Sequence, residues 1–138
     1  MTTPLPSTRA FLSDLPSLPP DTKVRFLGCV KTYSIATGHL TVEHNYPPQR
    51  PPPSVSVDVN AIVSSLTSEE LRVGAWVNIV GYVRRVPTSS TAGVAGAAAE
   101  SPMHVDAVMV FPAGAIALGE YERTLSDVLE VDRWVRNP

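Results

Sequence analysis

The sequence predicts an all-β fold: a five-stranded Greek-key barrel with a short helix between strands 3 and 4 and a long C-terminal helix. Three observations carry this prediction. Five segments alternate apolar and polar residues at the period of a strand. A short helical pattern falls between the third and the fourth. The last segment changes to a helical period. At 138 residues the chain is one domain, and a chain of that length buries about two-thirds of its unfolded surface.

Residues 1–22 read as a proline-rich segment that docks on the barrel. Pro4, Pro6, Pro16, Pro19 and Pro20 punctuate it, and Phe11, Leu12, Leu15 and Leu18 supply a short apolar turn. The barrel is expected over residues 23–111. Its first strand, Lys23 to Ile35, puts Val24, Phe26, Gly28 and Val30 on one side and Arg25, Leu27, Cys29 and Lys31 on the other. Gly28 in mid-strand predicts a bulge or sharp bend, after which the facing can flip. Ala36 to His39 is a compact turn. In the second strand Leu40, Val42 and His44 alternate with Thr41, Glu43 and Asn45. Residues 46–53 hold five prolines, which cannot donate to a central ladder, so they form an extended connection. Val55, Val57 and Val59 then alternate with Ser54, Ser56 and Asp58 as a half-buried third strand.

Asn60 is placed to cap a short helix through Leu66, with Ile62, Val63 and Leu66 inward. Thr67 and Glu70 have capping-box spacing. The fourth strand, Ala75 to Val86, alternates Val77, Ile79, Gly81 and Val83 with Trp76, Asn78, Val80, Tyr82 and Arg84. Residues 87–102 are small and glycine-rich and read as a mobile loop. The fifth strand, His104 to Phe111, is apolar on both faces. Over residues 112–138 an amphipathic helix is expected, from Ala115 to Arg136, because Leu118, Tyr121, Leu125, Val128 and Val135 recur at helical steps. It is expected to cover the outer face of strand 5 with Val80 and Tyr82. Leu129, Val131 and Trp134 widen its stripe beyond what one barrel flank needs, which predicts a partner.

Five strands with a helix between the third and fourth is the order of the OB-fold, which binds oligonucleotides through strands 2–3 and the flanking loops. Eleven Lys and Arg against thirteen Asp and Glu give a net charge of −2, whereas a free-standing nucleic-acid binder is usually basic. The lone Cys29 excludes an internal disulfide and fits a reducing compartment. No basic run followed by an apolar stretch marks a secretory signal, and no apolar run is long enough to span a membrane. His39, His44 and His104 lack metal-ligand spacing, so no metal and no cofactor are expected. No nucleophile elbow or phosphate-cradling loop is present, and an enzyme is not expected.

The runs LPSLPPDTKVRFLGCV, LRVGAWVNIVGYV and VDAVMVFPAGAIALGEYERTL resemble the smallest, Ten-one-type subunit of the telomere-capping CST complex, in its filamentous-fungal form. The likeness runs from about Leu5 to Leu129. It implies a nuclear subunit at chromosome ends that pairs tightly with a Stn-one-type OB protein and reaches the larger CST subunit through it. The pair would protect single-stranded telomeric DNA and regulate telomere replication. The resemblance also implies that Arg25, in V-R-F-L-G, and residues of the C-terminal helix serve the partner interface. The helix candidates are Tyr121, Leu125, Val128, Leu129 and Trp134.

An auxiliary contact to single-stranded DNA needs cations along the phosphates and rings for base stacking. The groove-side candidates are Lys31, Tyr33, His39, His44, Tyr46 and Arg50, with Arg84 and Arg85 at the mouth of the loop between strands 4 and 5. Two alternatives remain open at this stage: a stand-alone single-strand binder, and an adaptor whose barrel only scaffolds a partner helix.

Overall fold

The structure is a computed structural model and describes residues 6–85 and 103–136. The expected mobile loop at 87–102 lies outside the described residues. Strands β1 (Thr8–Arg9), β2 (Lys23–Ser34), β3 (His39–Glu43), β4 (Ser54–Asp58), β5 (Trp76–Arg85) and β6 (Met103–Pro112) form one sheet in the order β1-β2-β3-β4-β6-β5. A further pairing of β2 with β5 closes the last five of them into a barrel. β4 and β6 run parallel and the other barrel pairs antiparallel. The C-terminal helix, α2, spans Leu118–Arg136.

One long strand closes the barrel. Residues Lys23 to Cys29 of β2 pair with β5, and Cys29 to Ser34 pair with β3. Gly28 lies where β2 changes partners and is not the bulge. A Cβ there would lie 2.8 Å from Cβ of Val42, so glycine lets two strands approach across the interior. The register slips instead at Lys31, between Val30 and Thr32. The facing flips there, and Tyr33, which the alternation places with Lys31 on the outer side, packs on the core. A second slip, between Val80 and Gly81 of β5, sets Val108 of β6 outside the pairing. A side chain on Gly81 would collide with the carbonyl oxygen of Asp106, so this approach also requires glycine.

The interior is filled by the even residues of early β2 and the odd residues of β4 and β5: Val24, Phe26 and Val30 with Val55, Val57, Val77, Ile79 and Val83. Leu40, Val42 and Val105 complete it, and Leu12 and Leu15 of a 3-10 turn at Leu12–Ser17 plug one end. Ala10 donates its backbone N–H to the Arg25 carbonyl at 3.1 Å, extending the contact of β1 along β2.

Between β4 and β5 the chain makes a 3-10 turn, Asn60–Ser65, and then one α turn, α1 (Ser68–Leu71), with no continuous helix. Asn60 opens the turn without capping it; its amide donates to the Thr37 carbonyl and to Asp58. Ile62 and Leu66 pack on the core, whereas Val63 is exposed, contrary to the inward facing expected of it. The capping box at Thr67 and Glu70 is formed, and the Thr67 hydroxyl holds the Glu70 carboxyl below its ordinary range.

Candidate functional site

At one end of the barrel, rings from four elements converge on His44. The residue follows β3 on the same side as Leu40 and Val42, so its ring points inward at the barrel end and is only 2 % exposed. Trp76 of β5 stands edge-on to it at 5.5 Å, with Phe11, Tyr46 and Tyr121 at 6.0, 6.3 and 6.3 Å. Its Nε2 lies 2.7 Å from Oε2 of Glu122. His44 is therefore enclosed beneath α2 and presents no face to nucleic acid. Tyr46 is half-buried against Phe11, 4.8 Å between ring centres. Both are expected in the groove; His44 instead bonds to α2, and Tyr46 packs on Phe11 and His44. The signal for His44 was its place in the alternation with Leu40 and Val42.

Two stripes run along α2. Leu118, Tyr121, Glu122, Leu125 and Leu129 occupy one sector, and all are buried or half-buried, Leu125 most deeply at 4 % exposure. Val128, Val131 and Val135 fall about 90° further round at 100° per residue, and with Trp134 they stand in solvent. Val131 is 61 %, Trp134 70 % and Val135 74 % exposed, and these three line one shallow apolar groove with Asp127 and Glu130. Among the expected interface residues, Tyr121, Leu125 and Leu129 thus face the barrel side, and Val128 and Trp134 face outward. Burial raises the Tyr121 hydroxyl pKa, and the charges of Arg25 and Arg9 oppose that shift.

α2 does not cover the outer face of β6 as expected. The slip near Gly81 leaves Val108 and Met109 side by side on the outside, and Met109 is 54 % exposed. Arg25, Val80 and Met109 are register partners across β2, β5 and β6. The exposed Arg25 guanidinium lies 5.5 Å above the Phe111 ring. Between this face and the start of α2 is a groove of about 480 Å³ lined by Arg9, Arg25, Asn78, Tyr121 and Thr124, among others.

The face across β3, β4 and β6 has a different chemistry. Its charges are already matched. Lys31 pairs with Glu43 at 3.6 Å, and His39 with Asp58 at 3.6 Å. His39 stacks on His104 at 6.4 Å, and His104 meets Asp106 at 3.0 Å. Arg84 donates to Asp106 at 3.0 Å and to Asp21, bonds that hold it charged, and its guanidinium lies 5.0 Å over the Tyr82 ring. Arg85 donates to the Pro16 carbonyl. Among the candidate cations, Arg50 alone is exposed with no ion pair among the described residues. The backbone N–H of Asn60, with smaller help from its side chain, His39 and His104, holds Asp58 below the ordinary carboxylate range. A phosphate reaching Lys31 or Arg84 must displace a carboxylate from it.

No curated protein matches the chain. Among solved structures, the Stn1–Ten1 complex of S. pombe contains a chain with 23% identity and a TM-score of 0.67, covering 91% of this chain and 93% of that one. The telomere-capping protein Ten1 of S. pombe aligns at 22% identity and the same TM-score, over 91% and 99%. The hypothetical protein ygiW of E. coli aligns at 15% identity and 0.51, over 77% and 90%. These likenesses are of fold: a closed five-stranded barrel of the OB type carrying a C-terminal helix. The model of a telomere-capping family of CST complex subunits matches residues 1–126, which hold every strand of the barrel and the helix-seating end of α2. The chain belongs to the Ten1 family of telomere-capping CST subunits.

Proposed function

We propose that this chain caps telomeres as the small half of a two-barrel heterodimer with a Stn1-type subunit. The observation that carries the reading is the second stripe of α2, where Val128, Val131, Trp134 and Val135 stand exposed while the first stripe is spent on the barrel. An apolar face of this kind on a small domain marks a protein interface, and an exposed tryptophan in a shallow groove is the side chain that most often anchors one. Arg25, with Phe111 and Met109 beside it, extends the surface onto the sheet. The likeness to a chain of the S. pombe Stn1–Ten1 complex supports the same partner. Tyr121, Leu125 and Leu129 act indirectly by holding the helix.

In this reading residues 1–22, 23–111 and 112–138 work as one unit, and the two turns between β4 and β5 stand where a single OB-type helix would. The function is binding, without catalysis, in the nucleus at chromosome ends. The larger CST subunit is reached through the Stn1-type partner. Single-stranded telomeric DNA touches the pair through a modest contribution from Lys31, Tyr33, Arg50, Arg84 and Arg85, because Lys31 and Arg84 must first leave a carboxylate. A stand-alone single-strand binder is disfavoured by the same pairing. Co-expression with a Stn1-type OB domain tests the proposal. Co-purification lost in Trp134→Ala or Val131→Ala, with the melting temperature of the chain unchanged, is the expected outcome; full retention by both variants defeats it.

A further inference from the structure

We propose that the pair of buried His44 and half-buried Glu122 is a latch that fixes the pose of α2 and, through it, the apolar stripe offered to the partner. Apolar contact is non-directional, so Leu125 and Tyr121 hold the helix down without fixing its rotation. A hydrogen bond prefers a narrow angular range. Glu122 supplies one, 2.7 Å from Nε2 of a histidine that is 2 % exposed. Glu122 precedes Leu125 by one turn on the seated stripe, so the same bond sets where Val128, Val131 and Trp134 point. The pair is also poised. Nδ1 of His44 is buried with no hydrogen-bond partner among the described residues, and an unpaired buried nitrogen weighs against the docked state. The rings of Phe11, Tyr46, Trp76 and Tyr121 surround the imidazole. Glu122 accepts the hydrogen bond of the Nε2–H. His44 and Glu122 are thus positioning residues that touch no partner themselves, and the inference rests on the reading that the exposed stripe of α2 binds the Stn1-type subunit.

The test uses the full chain, titrated with a Stn1-type OB domain, together with amide hydrogen exchange of α2 and of the barrel strands. In Glu122→Ala the barrel amides keep their protection, the amides of α2 exchange faster, and partner affinity falls on the order of tenfold, the effect of one buried hydrogen bond. Glu122→Gln keeps an acceptor in the same place and recovers most of both losses. Should Glu122→Ala fail to fold, Glu122→Met, which keeps the side-chain length and removes the acceptor, takes its place: loss of affinity with faster exchange confined to α2 supports the latch. Affinity within about twofold of the parent together with unchanged exchange in α2 overturns it. Trp134→Ala is run beside them. Undiminished partner binding by Trp134→Ala defeats the stripe reading, and the exchange of α2 in the Glu122 variants still judges the latch separately.

Discussion

The helix-seating end of the barrel and the β3–β4–β6 face are built from opposite materials. At the first, four aromatic rings pack around His44 in its bond to Glu122, and apolar surface is left over on the far side of α2. At the second, carboxylates answer Lys31, His39, His104 and Arg84 in turn, and every one of these pairs is at least partly exposed. Burial of apolar area drives association without a competing ligand. Exposed ion pairs contribute little and must be exchanged before phosphate can bind. The difference supports the proposal that the protein partner, and not the nucleic acid, is the primary ligand of this chain.

That contrast sets how strongly each region responds to substitution. The largest effect is expected at the seat of the helix. Leu125→Ala removes a nearly fully buried side chain and should cost about 2–5 kcal/mol of stability, read by thermal melting of the isolated chain. A loss below about 1 kcal/mol would mean that α2 rests on the barrel without packing into it. Next comes Trp134→Ala, which should leave the melting temperature of the chain where it was. It should weaken the partner complex by about 2 kcal/mol or more, as interface anchors do, read by calorimetric titration. On the polar face Arg84→Ala should change stability by no more than about 1 kcal/mol, because its partners are exposed. A larger drop would show that the ladder is structural and would blur the contrast.

The smallest effect is one of pH. Asp58 is held below the ordinary carboxylate range chiefly by the Asn60 backbone N–H. A carboxylate with a depressed folded-state pKa contributes stability that is complete above its unfolded value of about 4 and is lost as pH falls through the folded value. The difference in melting temperature between the parent and Asp58→Asn should therefore be greatest near neutral pH and shrink below about pH 4. A difference that stays constant across that range would remove Asp58 from the account.

Much of the barrel was legible from parity alone. Val55, Val57 and Val59 and the Val77-to-Val83 series point inward as their alternation demands. The long helix was legible from its period, and so was the surplus width of its stripe. The departures trace to two register slips that no local pattern announces. The slip at Lys31 turned Tyr33 toward the core. The slip beside Gly81 put Val108 and Met109 outside together, on a face the helix was expected to cover. Both glycines stood out in the sequence, yet their role is close approach between strands, which depends on a partner strand far away in the chain. Of the candidate site, the outward placement of Trp134 could be anticipated from stripe width. The pairing of Arg84 with Asp21 joins residues distant in sequence and becomes visible only once the barrel is closed.

The primacy of the protein partner is tested most directly by two titrations of the isolated chain in one buffer at physiological salt. One uses a Stn1-type OB domain and the other a telomeric single strand. The account predicts affinity in about the micromolar range or tighter for the protein. For the DNA it predicts binding weaker than about 10 µM, with log affinity falling against log salt at a slope below about 3, as few releasable cations allow. Nanomolar affinity for the single strand with a slope of about six, alongside no measurable binding to the OB domain, would contradict it.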